Sequence, residues 1–320
     1  MGRYILRRLL ISIPVLFVIT VIIFSLLEIA PGDMLDYFIT EDMLQFMTEG
    51  DIEEMRAKLG LEGPAPLRYL RWLGRVLTGD FGFSFVETEP VLDILMRRMK
   101  NSGILMAAAL LLGIVIGVPL GVFISLRQYS VADFTLTGLS FLGLSTPAFV
   151  AGIIGLYLFA VKLPLFPVGG MYTAGGSRTL GDLAYHLILP AFILAAQHIA
   201  RNMRYTRFSM LEVIKQDYIV TATAKGLRRR LIILRHALRN ALLPVITIIG
   251  VTVTRLIVGA VFLETIFNWP GMGRLYYNAV LARDFPIVMG ANLLIAVFVL
   301  LANLVTDILY SVVDPRVRYT

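Results

Sequence analysis

Residues 201–240 read RNMRYTRFSMLEVIKQDYIVTATAKGLRRRLIILRHALRN. Ten Lys or Arg residues stand here against Glu212 and Asp217, an excess larger than the +7 net charge of the whole chain. Apolar runs flank the stretch, about Leu183–Met203 before it and Ala241–Leu263 after it. A positive loop between two apolar spans marks a cytoplasmic face, because Lys and Arg resist translocation. A net charge confined to one such loop is a topological signal, and no nucleic-acid partner is expected from it.

Working outward, the composition agrees. The chain has 320 residues, 58% hydrophobic and 16% charged, with no Cys. A soluble domain carries about 25% charged residues, so the charges that would coat a water-facing surface are missing. Absence of Cys removes disulfides, thiolate metal sites and cysteine nucleophiles together. Six segments reach the roughly 20 apolar residues a bilayer crossing needs: about Leu9–Ala30, Gly103–Leu126, Phe134–Val161, Leu183–Met203, Ala241–Leu263 and Pro286–Val313. An N-terminus held inside by Arg3, Arg7 and Arg8, followed by six crossings, returns the C-terminus to the cytoplasm. Residues 31–101, 162–182 and 264–285 are then outside. Arg97, Arg98 and Lys100 sit on the outer side, against the rule, but their loop is long enough for it to lose force.

The first outer loop is expected to hold helices at Gly50–Leu61, Leu67–Leu77 and Pro90–Met99, the last leading into the membrane. It reads either as a solvated cap or as a docking surface for a partner at the outer face. Enzymatic chemistry finds no foothold. There is no phosphate-binding GxxxxGK[ST] loop, and His186, His198 and His236 are too far apart in sequence for a local metal site. No catalytic, cofactor-binding or metal-binding residue is assigned. Of the charges within spans, Glu28 and Asp307 read as interfacial or packing groups, and Arg255 stands nearest a span's middle.

Asp217–Lys225 (DYIVTATAK) reads as a short helix rich in small residues, after which Gly226 can turn the chain through positive φ. Small residues let another surface approach the backbone, and the arginines beyond supply contacts to acidic partners or lipid headgroups. The residues alone leave open a gripped handle or a basic helix lying on anionic lipid.

Asp217–Gly250 closely resembles the cytoplasmic coupling loop of the dipeptide/oligopeptide permease family, the membrane subunits of ABC importers. Tags in the same order extend the resemblance nearly end to end: Tyr4–Leu9 (YILRRL), Ile29–Asp33 (IAPGD), Leu59–Pro64 (LGLEGP), Gly79–Gly82 (GDFG), Phe166–Gly169 (FPVG), Ser209–Val213 (SMLEV), Gly259–Gly273 (GAVFLETIFNWPGMG) and Ala282–Pro286 (ARDFP). One departure is Val220-Thr221-Ala222 where the broad importer signature begins Glu-Ala-Ala, as is common in the peptide branch; another is a longer Gly-to-Leu-Pro spacing, from Gly226 to Leu243 and Pro244.

The resemblance implies an all-α integral membrane protein with six transmembrane helices in the type I ABC importer architecture. It implies one permease domain over 1–320, with an extracytoplasmic insertion at 31–101 and a cytoplasmic coupling loop at 204–240. It implies a multi-pass protein of the cell membrane with both termini cytoplasmic. The implied partners are a sister permease, two ABC ATPase subunits or domains that bind the ATP and Mg, an extracytoplasmic binding protein, and membrane lipid. Thr221, Ala222, Ala224, Lys225, Gly226 and Leu227 are implicated in ATPase coupling; Ser145 and Pro147 of the STPAF segment, with Arg255, are translocation-path candidates. Gly226→Pro or Ala222→Arg is expected to uncouple hydrolysis from uptake. Peptides are the expected cargo; relatives of this appearance move oligosaccharides, nickel chelates, glutathione or opines. A secondary carrier, driven without any ATPase, and a scaffold that passes no solute are the rivals from other classes.

Overall fold

The structure is a computed structural model that describes residues 2–29, 47–58, 62–84 and 86–313, with the side chains of 2–3, 49, 57–58, 247–260 and 309–313 outside that description. The tags at Pro31–Asp33 and Leu59–Leu61, the basic residues Arg316 and Arg318, and the side chain of Arg255 therefore lie outside the described residues. The chain divides into two compact units, 1–100 with 274–301 and 101–273 with 302–320.

In the first unit, α1 (Gly2–Ile29) is the expected first span, its Pro14 tolerated as prolines are in membrane helices. The helices α2 (Glu49–Lys58) and α3 (Ala65–Leu77) fall where the outer loop was expected to be helical. Tyr69 of α3 fastens that helix to α1: its hydroxyl lies 2.9 Å from Thr20 Oγ1, and its ring packs edge-on against Phe24 at 5.4 Å. Tyr69, Trp72 and Met289 are buried together, and Glu28 pairs with Arg68. A two-residue hairpin, β1 (Phe83–Ser84) with β2 (Glu89–Pro90), precedes α4 (Val91–Ser125). The separate amphipathic helix expected at Pro90–Met99 is instead the first part of α4, because no breaker stands between Val91 and the apolar run. Arg97 bonds Glu89 at 2.8 Å and Arg98 faces Glu87 at 3.6 Å. Two of the cations expected on the outer side against the positive-inside rule are thus paired with hairpin acids.

The second unit is built on α7 (Leu180–Val213), the expected fourth span. Its face is unusually polar for a span, and it is the most enclosed of the candidate spans. Gly113, Gly117 and Gly121, spaced by four on α4, let that helix lie directly against His198, Ile199, Asn202, Met203 and Thr206. A Cβ at Gly117 would come within 2.7 Å of the Ile199 carbonyl. Asn202 donates to the Gly113 carbonyl at 3.0 Å, a buried bond where no water competes. Leu105, Ala109, Leu189, Leu194, Ala195, Leu263, Phe267 and Trp269 form the apolar core nearby.

The third expected span is not one rod. The helix α5 (Val131–Ser145) meets α6 (Ala148–Leu156), which continues as a π-helix over Tyr157–Lys162, at 103°. Pro147 supplies the cause. It has no N–H to donate, and its ring drives Thr146 to extended backbone at φ −81°, ψ 122°. The carbonyl freed at Thr146 accepts from Gln197 Nε2 of α7 at 2.9 Å. Among the described residues, four single helices are long and apolar enough to cross a membrane, and this bent pair adds a fifth candidate. The helix α8 (Asp217–Ala224) follows α7, and a short α9 (Arg229–Leu231) then runs through a π-helix (Ile232–Ala237) into α10 (Leu238–Ile266), which covers the fifth expected segment. Among the described residues two further helices follow, α11 (Met272–Leu281) and α12 (Phe285–Val313), the latter covering the sixth.

Candidate functional site

The loop after α7 is ordered by one apolar cluster. Ile219 and Ala222 of α8 are buried against Met210 of α7 and against Ile232, Ala237 and Ala241 of the stretch that becomes α10. Asp217 in the first turn of α8 complements the helix dipole. At the far end Gly226 takes φ +73°, and its N–H donates to the Thr223 carbonyl at 2.9 Å, closing the helix through a left-handed residue. The Tyr218 hydroxyl accepts from Asn240 Nδ2 at 3.0 Å and pins the outer side of α8 to the start of α10.

Of the coupling candidates, Thr221, Ala224, Lys225, Gly226 and Leu227 are exposed on one surface with Val220. The Thr221 hydroxyl is turned back onto the Asp217 carbonyl at 2.9 Å. Ala222 stands apart. It is buried inside the chain's own cluster, so its small side chain serves close packing of α8 rather than access for a partner. Ala222→Arg would force a cation into that cluster, and it is not the clean uncoupling probe the sequence suggested. Ser145 and Pro147 flank the α5–α6 bend, both exposed. Arg255 lies on α10, with no described side chain.

Sequence reasoning missed three polar constructions. Asp133, buried at the start of α5, is held in a bidentate pair by Arg207 of α7, both contacts at 2.7 Å. Glu264, fully buried near the end of α10, accepts from the Ser102 hydroxyl and, at 2.7 Å, from the Gly273 N–H at the opening of α11. The Met272 N–H in turn donates to Ser102 Oγ at 2.7 Å, and a Cβ at Gly271 would strike the Glu264 carboxylate. Glu264 lies within the GAVFLETIFNWPGMG tag, whose glycines are the one signal that something approaches closely there. In the first unit Asp284 is fully buried and accepts from the Ser84 hydroxyl; burial holds its carboxyl above the ordinary 3.8. No group of three metal-ligating side chains occurs among the described residues.

Comparison with known proteins decides the family. Residues 117–319 match the binding-protein-dependent transport system inner membrane component, and residues 1–105 match the N-terminal component of the same systems. The chain belongs to this family. It is a multi-pass permease subunit of an ABC importer. Among its relatives, a putative peptide permease protein of Brucella ovis is 44% identical and the oligopeptide transport system permease protein AppB of Bacillus subtilis 43% identical, each over the full length of both chains. The dipeptide transport system permease protein DppB of Escherichia coli is 37% identical over all of the permease and 99% of its own length. An inward-facing MetNI methionine ABC transporter shares the fold at a TM-score of 0.54, with 16% identity over 70% of the permease and 97% of its own chain.

Proposed function

We propose that the permease forms, with a sister subunit, the path by which peptides enter the cell after delivery by an extracytoplasmic binding protein. Full-length similarity to peptide permeases carries this reading. Residues 1–320 act as one permease domain with both termini in the cytoplasm, residues 31–101 as an outer insertion, and residues 204–240 as the coupling loop. ATP and Mg bind to two partner ATPases, and hydrolysis is theirs, since the chain has no phosphate loop.

The exposed surface of Thr221, Ala224, Lys225, Gly226 and Leu227 docks in a cleft on the ATPase, and Ala222 anchors that surface from below. Closure of the ATPases on ATP favours the outward-open state, and release favours the inward-open one, because differential binding shifts the gate only if the handle transmits it. Ser145, Pro147 and Arg255 line the path. The support for the coupling assignment is local: a helix anchored on one face, small and exposed on the other, with a left-handed stop.

The test is uptake by proteoliposomes holding the permease, its sister subunit, the ATPases and the binding protein. Labelled di- or oligopeptides should accumulate only with ATP. Uptake without ATPases would make the protein a secondary carrier. Competition by an oligosaccharide, nickel chelate, glutathione or opine, with no competition from peptides, would replace the cargo.

A further inference from the structure

The arginines beyond α8 are not used by the coupling surface. Arg228, Arg229, Arg230, Arg235 and Arg239 are all exposed, and among the described residues none of their side chains has an ion pair or hydrogen bond. No acidic residue occurs anywhere between Tyr218 and Leu263 to neutralise them. Leu231 and Leu234 stand among them, 41% and 51% exposed, while Ile232 and Ala237 turn inward to the cluster with Met210 and Ile219. The segment therefore has an anchored face and a free face, and the free face is cationic with an apolar footing. It runs without a break through the π-helix into α10, whose apolar run begins at Ala241, two residues after Arg239.

A cationic, leucine-bearing face at the root of a membrane helix matches the interfacial zone, where apolar side chains reach the acyl boundary and basic ones reach phosphates. Arginine suits that role because its planar fork donates two parallel bonds to a phosphate. We infer that residues 228–239 form a docking surface for anionic phospholipid headgroups of the inner leaflet, the arginines on the phosphates and Leu231 and Leu234 in the acyl boundary. The leaflet rests on the cytoplasmic placement under Proposed function; the lipid contact itself does not. The alternative occupant, an acidic groove on an ATPase, does not call for leucines among the arginines or for continuity with a span.

The test titrates the detergent-purified complex with fluorescent short-chain phosphatidylglycerol, using phosphatidylcholine of the same chain length as the neutral probe. The wild type should prefer phosphatidylglycerol, and added salt should weaken the preference. Each arginine near an anionic headgroup is worth about a factor of five in affinity, so the Arg229→Gln, Arg235→Gln, Arg239→Gln triple variant should bind about a hundredfold more weakly. Arg→Lys at the same positions should restore binding to within about fivefold. Equal binding of the two probes, or unchanged phosphatidylglycerol binding by the Gln variant, overturns the inference. So does loss of the ATPase subunits from the Gln variant with lipid binding intact, which would assign the arginines to that partner. A membrane-impermeant amine reagent that reaches Lys225 from outside intact cells would overturn the inner-leaflet assignment. Uptake is read separately in proteoliposomes, so its failure strikes the functional reading and leaves the titration standing.

Discussion

Glu264 shows how much one side chain can carry. Its carboxylate is the acceptor for Ser102 and for the first turn of α11, and the glycines at 271 and 273 exist to let that turn come close. An unsatisfied buried donor costs about 1–3 kcal/mol, so Glu264→Ala, which orphans two, should lower stability by about 3 kcal/mol. Glu264→Gln keeps an acceptor and should cost less. Thermal unfolding in detergent reads both; equal melting of wild type and Glu264→Ala would show that the carboxylate is not structural. Asp284 makes a pH prediction. Its folded pKa lies above the 3.8 of the unfolded chain, so the native state holds a proton that the unfolded chain releases. The resulting stabilisation is complete below pH 3.8 and is lost as pH rises through the folded value. Melting temperature should fall across that window in the wild type and less so in Asp284→Asn; parallel profiles would contradict it. Neither residue was legible as a site in the sequence, because the partners Ser102 and Ser84 stand far away along the chain and only the fold brings them in.

At the scale of elements, the pattern of apolar runs was readable and their bends were not. A proline such as Pro147 can kink a helix, yet it sets no angle by itself; Gln197, fifty residues later, satisfies the Thr146 carbonyl left open at the 103° break. Gln197→Leu should therefore lower the melting temperature by leaving Thr146 without its donor, whereas an unchanged value would place the support elsewhere. The polar fourth span was equally opaque. His198, Asn202 and Thr206 are costly side chains for a membrane span, and only the fold shows the glycines of α4 packed against them. Gly117→Val overpacks that contact, and overpacking costs about 1–3 kcal/mol; the helices should separate enough to make the variant more sensitive to protease in detergent. Wild-type resistance would contradict the close approach. For α8, the small-residue run was visible, but which face looked inward depended on Met210 and Ile232, and so Ala222 changed from surface to anchor.

For the molecule as a whole, the resemblance was legible as many weak tags in one order, and the full-length similarity to the permeases of Brucella ovis and Bacillus subtilis agrees with it. On the proposed reading, charge sets the direction of work: the basic loop would lie inside, where nucleotide is available, and a separate binding protein would select the cargo. In the proposed coupling mechanism α8 is the handle. Ala224 is exposed at the end of that helix, so Ala224→Arg should block a partner's approach without disturbing the cluster beneath. The deciding measurement is ATP-driven peptide uptake beside ATP hydrolysis in the same proteoliposomes. With α8 as the handle, Ala224→Arg should leave the melting temperature unchanged, make hydrolysis unresponsive to the loaded binding protein and reduce uptake by at least about tenfold. Uptake at the wild-type rate would contradict it.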